Sequence, residues 1–188
     1  MRIKIYPEIW LTADTHFFHN FMAETIRGFF SAHEMNAEII RRWNLKVGPK
    51  DTVYHLGDFA LAPAHMVLPI LDQLNFAQMF LLRGNHDGWL NKEAKSRFQF
   101  VKDYHYAHLG DQRAVLCHYG FRSWNNAKHG VWNLHGHSHG NLPELGNLQT
   151  DVGMDCWDLA PVHVDELKVH FAGRSNDLED HHDQSWDD

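Results

Sequence analysis

The sequence lacks the features that mark several large protein classes. It has only two cysteines, Cys117 and Cys156, and their spacing predicts neither a disulfide framework nor a zinc finger. We expect both to be buried free thiols. No apolar run approaches the ~20 residues of a membrane-spanning helix, and residues 1–6 are too short for a signal peptide. These absences favour a cytoplasmic protein that makes no membrane contact.

Positive charge is also scarce. The formal net charge is −7, and the last twelve residues contain six acids but no Lys or Arg. The rest of the chain is close to neutral, so it lacks the basic stripe that tracks nucleic acid. A small anionic substrate remains compatible, because bound cations would reverse the local field. We predict one folded domain over residues 1–173 and an acidic, disordered tail over residues 174–188.

Five short polar motifs are the most informative feature that is present, and each follows an apolar run that predicts a strand. Together they supply carboxylates, imidazoles and one amide oxygen, which are ligands for zinc, iron, manganese and nickel. Two adjacent cations of this kind activate water and attack phosphate esters. The motifs are Asp14-Thr15-His16, Gly57-Asp58, Gly84-Asn85-His86-Asp87, Cys117-His118-Tyr119-Gly120 and Gly136-His137-Ser138-His139.

The spacing inside the motifs separates ligands from other roles. Asp14 and His16 are two residues apart, so an extended segment would point both side chains to the same side. The same spacing recurs in the last motif. His86 directly follows the amide ligand Asn85 and therefore points elsewhere, which makes it a candidate general acid rather than a ligand.

Residues beside the motifs have competing interpretations. Arg122 follows His118 by four residues, and its planar guanidinium could bind a phosphate, although a surface ion pair is the alternative. Arg27 has a weaker claim of the same kind. His19 could line the pocket, but a loop histidine satisfied by the backbone is favoured, and Asp87 is expected only to turn its loop.

The pattern of apolar residues predicts the elements that carry these motifs. Ser31 and Glu34 form a capping box for a helix over residues 32–47, which Gly48 and Pro49 end. Strands and helices alternate in the first half, and strands dominate the second, so two packed sheets flanked by helices are expected. Strands are predicted at 3–6, 9–13, 52–56, 79–82, 98–101, 104–109, 113–117, 131–134 and 148–152, helices at 63–74 and 91–97, and a last apolar segment at 162–171.

The five motifs resemble the signature of the calcineurin-like metallophosphoesterase superfamily, which runs D-x-H, G-D, G-N-H-[D/E], H, G-H-x-H. Every block is present between residues 9 and 139, and residues 12–20 and 150–155 are similar to small members of bacterial and phage origin. The resemblance implies an α/β (α+β) fold, a four-layer αββα sandwich of two mixed sheets with two divalent metal ions at the sheet edge.

The resemblance also implies a role for each motif residue. Many protein phosphatases of the superfamily have a second Asp three residues after the bridging one, where this chain has Leu61. That departure favours a smaller, less specialised esterase. One metal would be held by Asp14, His16 and His139 and the other by Asn85, His118 and His137, with Asp58 as the bridge and His86 as the catalytic residue.

These implications define the expected activity. The chain would hydrolyse small phosphomonoesters or phosphodiesters by in-line attack of a metal-bound hydroxide. Two alternatives stay open: a nuclease acting on DNA or RNA, and a non-catalytic interaction module stabilised by metal. The metal identity (manganese, zinc, iron or nickel) and the oligomeric state do not follow from the residues.

Overall fold

A computed structural model describes residues 7–145 and 147–176 of the 188-residue chain. The strand predicted at residues 3–6 and residues 177–188 of the predicted tail lie outside this part. Residues 174–176 are described and contact the domain, because the Asn176 side chain accepts a hydrogen bond from the Leu148 amide at 2.7 Å. In the described ranges no helix is both long and apolar enough to cross a membrane.

The first sheet has five strands in the order β4-β3-β2-β1-β9. Neighbours from β1 to β4 are parallel, and β9 pairs antiparallel with β1. The carboxyl ends of β1, β2 and β3 therefore meet at one edge of the sheet. The strands are β1 Ile9–Thr12, β2 Thr52–His55, β3 Gln78–Leu82, β4 Val101–Lys102 and β9 Val162–His163.

The second sheet has four strands in the order β5-β6-β7-β8. The hairpin predicted around residues 110–112 is present, since β5 and β6 pair antiparallel, whereas β6, β7 and β8 are parallel. Both sheets are thus mixed. The strands are β5 Tyr104–Leu109, β6 Gln112–Cys117, β7 Trp132–His135 and β8 Gln149–Asp151.

Helix α1, Ala32–Lys46, forms as the capping box predicts: the Ser31 side chain accepts the Glu34 amide hydrogen bond at 3.2 Å. Its fully buried residues Met35, Ile39 and Trp43 pack in a core against the first sheet. The other helices are α2 Ala64–Leu71, α3 Lys92–Lys95 and α4 Val164–His170.

A second core lies between the two sheets and contains Leu11 and Tyr54 from one sheet and Leu116 and Leu134 from the other. The outer face of the second sheet is covered by a loop with a 3₁₀ turn at Ala127–His129. Two mixed sheets flanked by helices are therefore present, and the predicted fold class is confirmed.

Several predicted elements differ in detail. The strand predicted at 98–101 begins only at Val101, because the Phe98 amide bonds to Lys95 and completes the turn after α3. Residues 162–171 form the short strand β9 followed by α4. A π-helical turn at Met22–Ile26 was not predicted. Cys117 is buried as expected, but the prediction was wrong for Cys156, which is exposed.

Candidate metal centre

All five motifs lie in loops at the carboxyl ends of parallel strands. The loops after β1, β2 and β3 carry Asp14, Asp58 and Asn85, and those after β6 and β7 carry His118 and the last motif. Because each sheet brings these strand ends to one edge, the fold gathers side chains that are far apart in sequence. The predicted ligands therefore converge at this edge.

The backbone at these positions is strained in a way that serves the site. Five predicted ligands have a left-handed backbone with positive φ, which costs about 1–2 kcal/mol for a residue other than glycine. Such strain collects at functional sites, where the surrounding structure holds it in place. The five are Asp14 (57°), His16 (50°), Asp58 (55°), His137 (68°) and His139 (47°).

Glycines allow the motif loops to approach one another. A Cβ at Gly57 would lie 2.7 Å from Nδ1 of His118, and Gly57 itself has φ of 98°. A Cβ at Gly136 would lie 2.6 Å from Oδ2 of Asp14 and would also collide with Ala13. Gly57 and Gly136 each precede a predicted ligand, and the close packing at both positions leaves no room for a Cβ atom.

Three predicted ligands form one side of the centre, which we call the Asp14 half: Asp14, His16 and His139. Nε2 of His16 lies 3.3 Å from Nε2 of His139 and 3.9 Å from Oδ1 of Asp14. All three side chains offer a donor atom within 4.8 Å of the others.

The other side, which we call the His118 half, consists of Asn85, His118 and His137. Nε2 of His118 lies 3.3 Å from Oδ1 of Asn85. The His118 and His137 rings are 5.1 Å apart between centroids, and their donor atoms share a 4.8 Å cluster with Asp58.

Asp58 stands between the halves. Its Oδ2 atom lies 3.8 Å from Nε2 of His16 and 3.4 Å from Nε2 of His118. Two ligands of one cation, each at about 2.0–2.2 Å, are separated by roughly 3–3.5 Å. The donor atoms on both sides of Asp58 are therefore spaced as cation ligands, with small closing movements where the separation is 3.8–3.9 Å.

The electrostatics fit the same interpretation. Burial raises the pKa of Asp14 to about 7, with His139 and His118 acting in the opposite direction. Burial lowers the pKa of His16 well below its usual value, so this imidazole is neutral and offers a lone pair. A buried carboxylate that resists ionisation, beside the neutral imidazole of His16, is a donor set that a divalent cation would stabilise.

Two imidazoles are oriented by hydrogen bonds at their outer nitrogens. Nδ1 of His118 bonds the Leu56 carbonyl at 2.8 Å, and Nδ1 of His139 bonds Oδ2 of Asp155 at 2.6 Å. With Nδ1 as the donor, Nε2 of each ring presents its lone pair to the centre.

His86 lies at the edge of the centre, next to the Asp14 half. Its amide donates to Oδ1 of Asp58 at 2.8 Å, and its Nε2 is 3.9 Å from Oδ2 of the same residue. The side chain is 34% exposed. Leu61, at the position of the protein-phosphatase Asp, is exposed. The ring of His19 lies next to that of His86, with 5.5 Å between the centroids.

His19 combines both interpretations given from the sequence. Its Nδ1 accepts the Met22 amide hydrogen bond at 3.3 Å, as expected for a loop histidine satisfied by the backbone. Its ring centroid is also 5.2 Å from that of His16, and one of its ring nitrogens lies within 4.8 Å of donor atoms of His16 and His86. His19 therefore lines the centre.

Asp87 does more than turn its own loop, which was the only role predicted for it. It accepts hydrogen bonds from the amides of Asp58, Phe59 and Gly84 at 2.8–2.9 Å. This buried carboxylate ties the loop after β2 to the loop after β3, which fixes the position of Asp58 relative to Asn85.

Sequence reasoning assigned no role to Asp151, which organises the last motif. It accepts hydrogen bonds from the Ser138 hydroxyl at 2.9 Å and the Gly140 amide at 3.0 Å. A carboxylate at the end of β8 gives no sign in the sequence of which earlier turn it holds.

Arg122 is exposed on the loop that follows His118. The structure does not bring it into the cluster of donor atoms, and its phosphate contact stays a prediction. A cavity of about 410 Å³ lies beside the last motif, lined in part by His135, Asp151 and Trp157, and no predicted site residue lines it.

The chain is similar to proteins of one superfamily. The family model of the calcineurin-like phosphoesterase superfamily domain matches residues 8–146. An uncharacterized protein of Methanocaldococcus jannaschii, MJ1445, is 33% identical over 71% of this chain and 70% of its own length. The gene 66 protein of Mycobacterium phage D29 is 26% identical over 92% of this chain and 98% of its own length.

Among solved structures, the protein of unknown function AQ665 from Aquifex aeolicus has the same fold. It aligns with a TM-score of 0.68 and 22% sequence identity, covering 87% of this chain and 99% of the other.

Proposed function

The chain belongs to the calcineurin-like phosphoesterase superfamily, and we propose that it hydrolyses small phosphomonoesters or phosphodiesters with the help of two divalent cations. The observation that carries this proposal is the place of Asp58, whose Oδ2 atom faces His16 on one side and His118 on the other. A carboxylate shared between two imidazole-rich clusters is the arrangement that a two-metal esterase needs.

The residues of the centre have distinct proposed roles. Asp14, His16 and His139 would hold one cation, Asn85, His118 and His137 the other, and Asp58 would belong to both. The mixed nitrogen and oxygen donors suit manganese, zinc, iron or nickel. Bound cations would supply Lewis-acid activation of water and neutralise the charge of the phosphate.

His86 is the proposed catalytic residue. Its half-buried ring lies beside the Asp14 half, and its amide is fixed by Asp58. From this position an imidazole N–H can donate to a phosphate oxygen or give its proton to the departing alkoxide. We also propose Arg122 as a substrate contact, because its guanidinium matches the geometry of phosphate.

The proposal includes a small phosphate ester as the partner and the cytoplasm as the location. The near-neutral charge of residues 1–176 supports a small substrate over a nucleic-acid polymer. The free thiols Cys117 and Cys156 support a reducing compartment.

The experiment uses the purified full-length chain, stripped of metal and reloaded with manganese, zinc or nickel. Turnover is measured with p-nitrophenyl phosphate, bis-p-nitrophenyl phosphate and 2′,3′-cyclic nucleotides, each with and without a chelator. We expect turnover of at least one of these esters that disappears when chelator is added. Activity that survives complete removal of metal contradicts the proposal.

Two further measurements decide between this proposal and its alternatives. Cleavage of single- or double-stranded DNA or RNA in preference to the small esters would identify a nuclease. Binding of two cations without turnover of any of these substrates would support a metal-stabilised interaction module instead.

A further inference from the structure

Arg27 and Asp155 form a paired fork at the back of the Asp14 half. Nε of Arg27 donates to Oδ1 of Asp155 and Nη2 to Oδ2, both at 2.8 Å. The Arg27 side chain is 3% exposed and that of Asp155 18%. A bidentate pair this well shielded has a fixed geometry, unlike most ion pairs at a protein surface.

Each end of this ion pair also contacts the centre. Oδ2 of Asp155 accepts the hydrogen bond from Nδ1 of His139 at 2.6 Å. Nη2 of Arg27 donates to the Asp14 carbonyl at 2.6 Å, and Nη1 donates to the Thr15 carbonyl at 3.0 Å. One ion pair thus links the main chain of the first motif to the imidazole of the last.

These contacts act on residues whose conformation needs support. Asp14 and His16 have left-handed backbones, and the carbonyls that Arg27 binds belong to Asp14 and to Thr15 between them. Strained segments persist only when their surroundings hold them. The guanidinium therefore holds the turn that aims both side chains at the cation position.

In the described part of the chain, the imidazoles of the His118 half have no carboxylate partner at the outer ring nitrogen. The outer nitrogen of His118 bonds a backbone carbonyl, that of Leu56. His137 is exposed, and in the described ranges its ring makes no hydrogen bond to a carboxylate. Among the described residues, a carboxylate at the outer ring nitrogen of a ligand is therefore found at His139 but not at His118 or His137.

We propose that Arg27 and Asp155 are positioning residues that hold the Asp14 half ready for its cation. The inference rests on the proposed function, since it requires the centre to bind cations. Loss of the ion pair leaves His139 free to rotate and relaxes the turn at Asp14, while the His118 half keeps its own contacts. Removing the pair should therefore weaken one cation site and spare the other.

The test measures Mn²⁺ binding to the metal-free full-length chain by isothermal titration calorimetry in the absence of substrate. Asp155→Asn keeps the shape of the side chain but loses its charge. We expect two sites in the wild type and, in the variant, one site weakened about 10–100-fold, which is typical when a partner of a metal-binding histidine is removed. The second site should stay within about twofold.

Asp103→Asn is a matched control. Asp103 forms the same fork with Arg83, at 2.8 Å to Nε and 2.6 Å to Nη2, but its side chain is 72% exposed. Both cation affinities should be unchanged in this variant, because an exposed pair contributes little.

Unchanged affinities in Asp155→Asn overturn the proposal, and so does equal weakening of both sites, which indicates general loss of structure. If that variant does not fold, as judged by circular dichroism, Arg27→Lys replaces it, because lysine keeps the charge without the fork. The same selective weakening of one site is expected in Arg27→Lys. Two affinities equal to those of the wild type would reject the proposal. A wild type that binds two cations but turns over no ester refutes only the proposed function, whereas a wild type that binds none refutes both.

Discussion

The two halves of the centre are built from the same kind of position but are supported differently. Both place imidazoles in loops at the ends of parallel strands, with Asp58 between them. The Asp14 half has a carboxylate of its own and is held by the Arg27–Asp155 pair. The His118 half has the neutral Asn85 in place of a carboxylate, and the ring of His118 is oriented by a backbone carbonyl.

Two sets of similar ligands can therefore form cation sites of unequal strength. An extra carboxylate and preset geometry both favour cation binding, because less reorganisation is needed when the ion arrives. We therefore expect the Asp14 half to fill first during metal titration and the His118 half to exchange its cation more readily.

The largest effect is expected from Asp58→Asn, which removes the residue that the halves share. Removing one partner from a buried charge cluster costs about 3–5 kcal/mol, or about 10²–10⁴-fold in affinity. Both cation sites should weaken, and turnover should fall to background. Mn²⁺ titration and bis-p-nitrophenyl phosphate kinetics measure this, with Asp103→Asn as the control, and retention of two tight sites would refute the bridging role.

His86→Asn tests a residue that belongs to neither half. Because loss of a general acid typically costs about 10²–10⁴-fold, kcat should fall by that factor while two cations remain bound. The measurement pairs steady-state kinetics with metal analysis of the same sample. Loss of one cation in this variant would instead make His86 a ligand.

The carboxylate of the Asp14 half predicts a pH dependence in the metal-free protein. Its folded-state pKa of about 7 lies above the ordinary 3.8, so the native state binds more protons between these values. Its contribution to stability is therefore present below pH ~4 and is lost as the pH rises towards 7. At ~1.36 kcal/mol for each unit of pKa, the full effect is about 4 kcal/mol.

Asp14→Asn isolates this effect, because the amide has the same shape and does not ionise. Urea unfolding of the metal-free proteins at pH 5 and pH 8 should show the variant gaining stability relative to the wild type at the higher pH. With Mn²⁺ present the order should reverse, since the ionised carboxylate then binds the cation. A difference that does not change with pH would show that Asp14 is already ionised.

The smallest effect is expected from Arg122→Ala, on the loop that follows the His118 half. A charge-assisted hydrogen bond is worth about 1.5 kcal/mol, so KM should rise roughly tenfold with little change in metal binding. Lys128→Ala, on the same exposed loop, is the comparison. Unchanged KM for every ester tested ends the case for a phosphate contact.

Much of the fold followed from local pattern. The capping box at Ser31 and the four-residue spacing of Met35, Ile39 and Trp43 predicted α1 within one residue. Boundaries failed where tertiary contacts override propensity, as at Phe98, whose side chain is buried in the core while its amide completes a helical turn. The π-helical turn at Met22–Ile26 has no local signal of comparable strength.

The candidate site was also predicted only in part from the sequence. The clusters around Asp58 contain six of the seven predicted ligands, and Asn85 contacts His118 directly. Arg27 and Asp155 were not predicted as partners, because 128 residues separate them and neither lies in a periodic pattern. Long-range partners of this kind depend on how the loops pack, and local patterns in the sequence do not show which loops meet.

The donor atoms and their order could be identified from the residues alone, because ligand chemistry depends on residue type and each motif follows an apolar strand. The tertiary structure determines which donors face each other, which ring nitrogen points inward and which half contacts the Arg27–Asp155 ion pair. This division arises from the sequence distance between the interacting residues. A strand and its loop are local, whereas the 3–4 Å separations at Asp58 arise only when both sheets bring their strand ends to one edge.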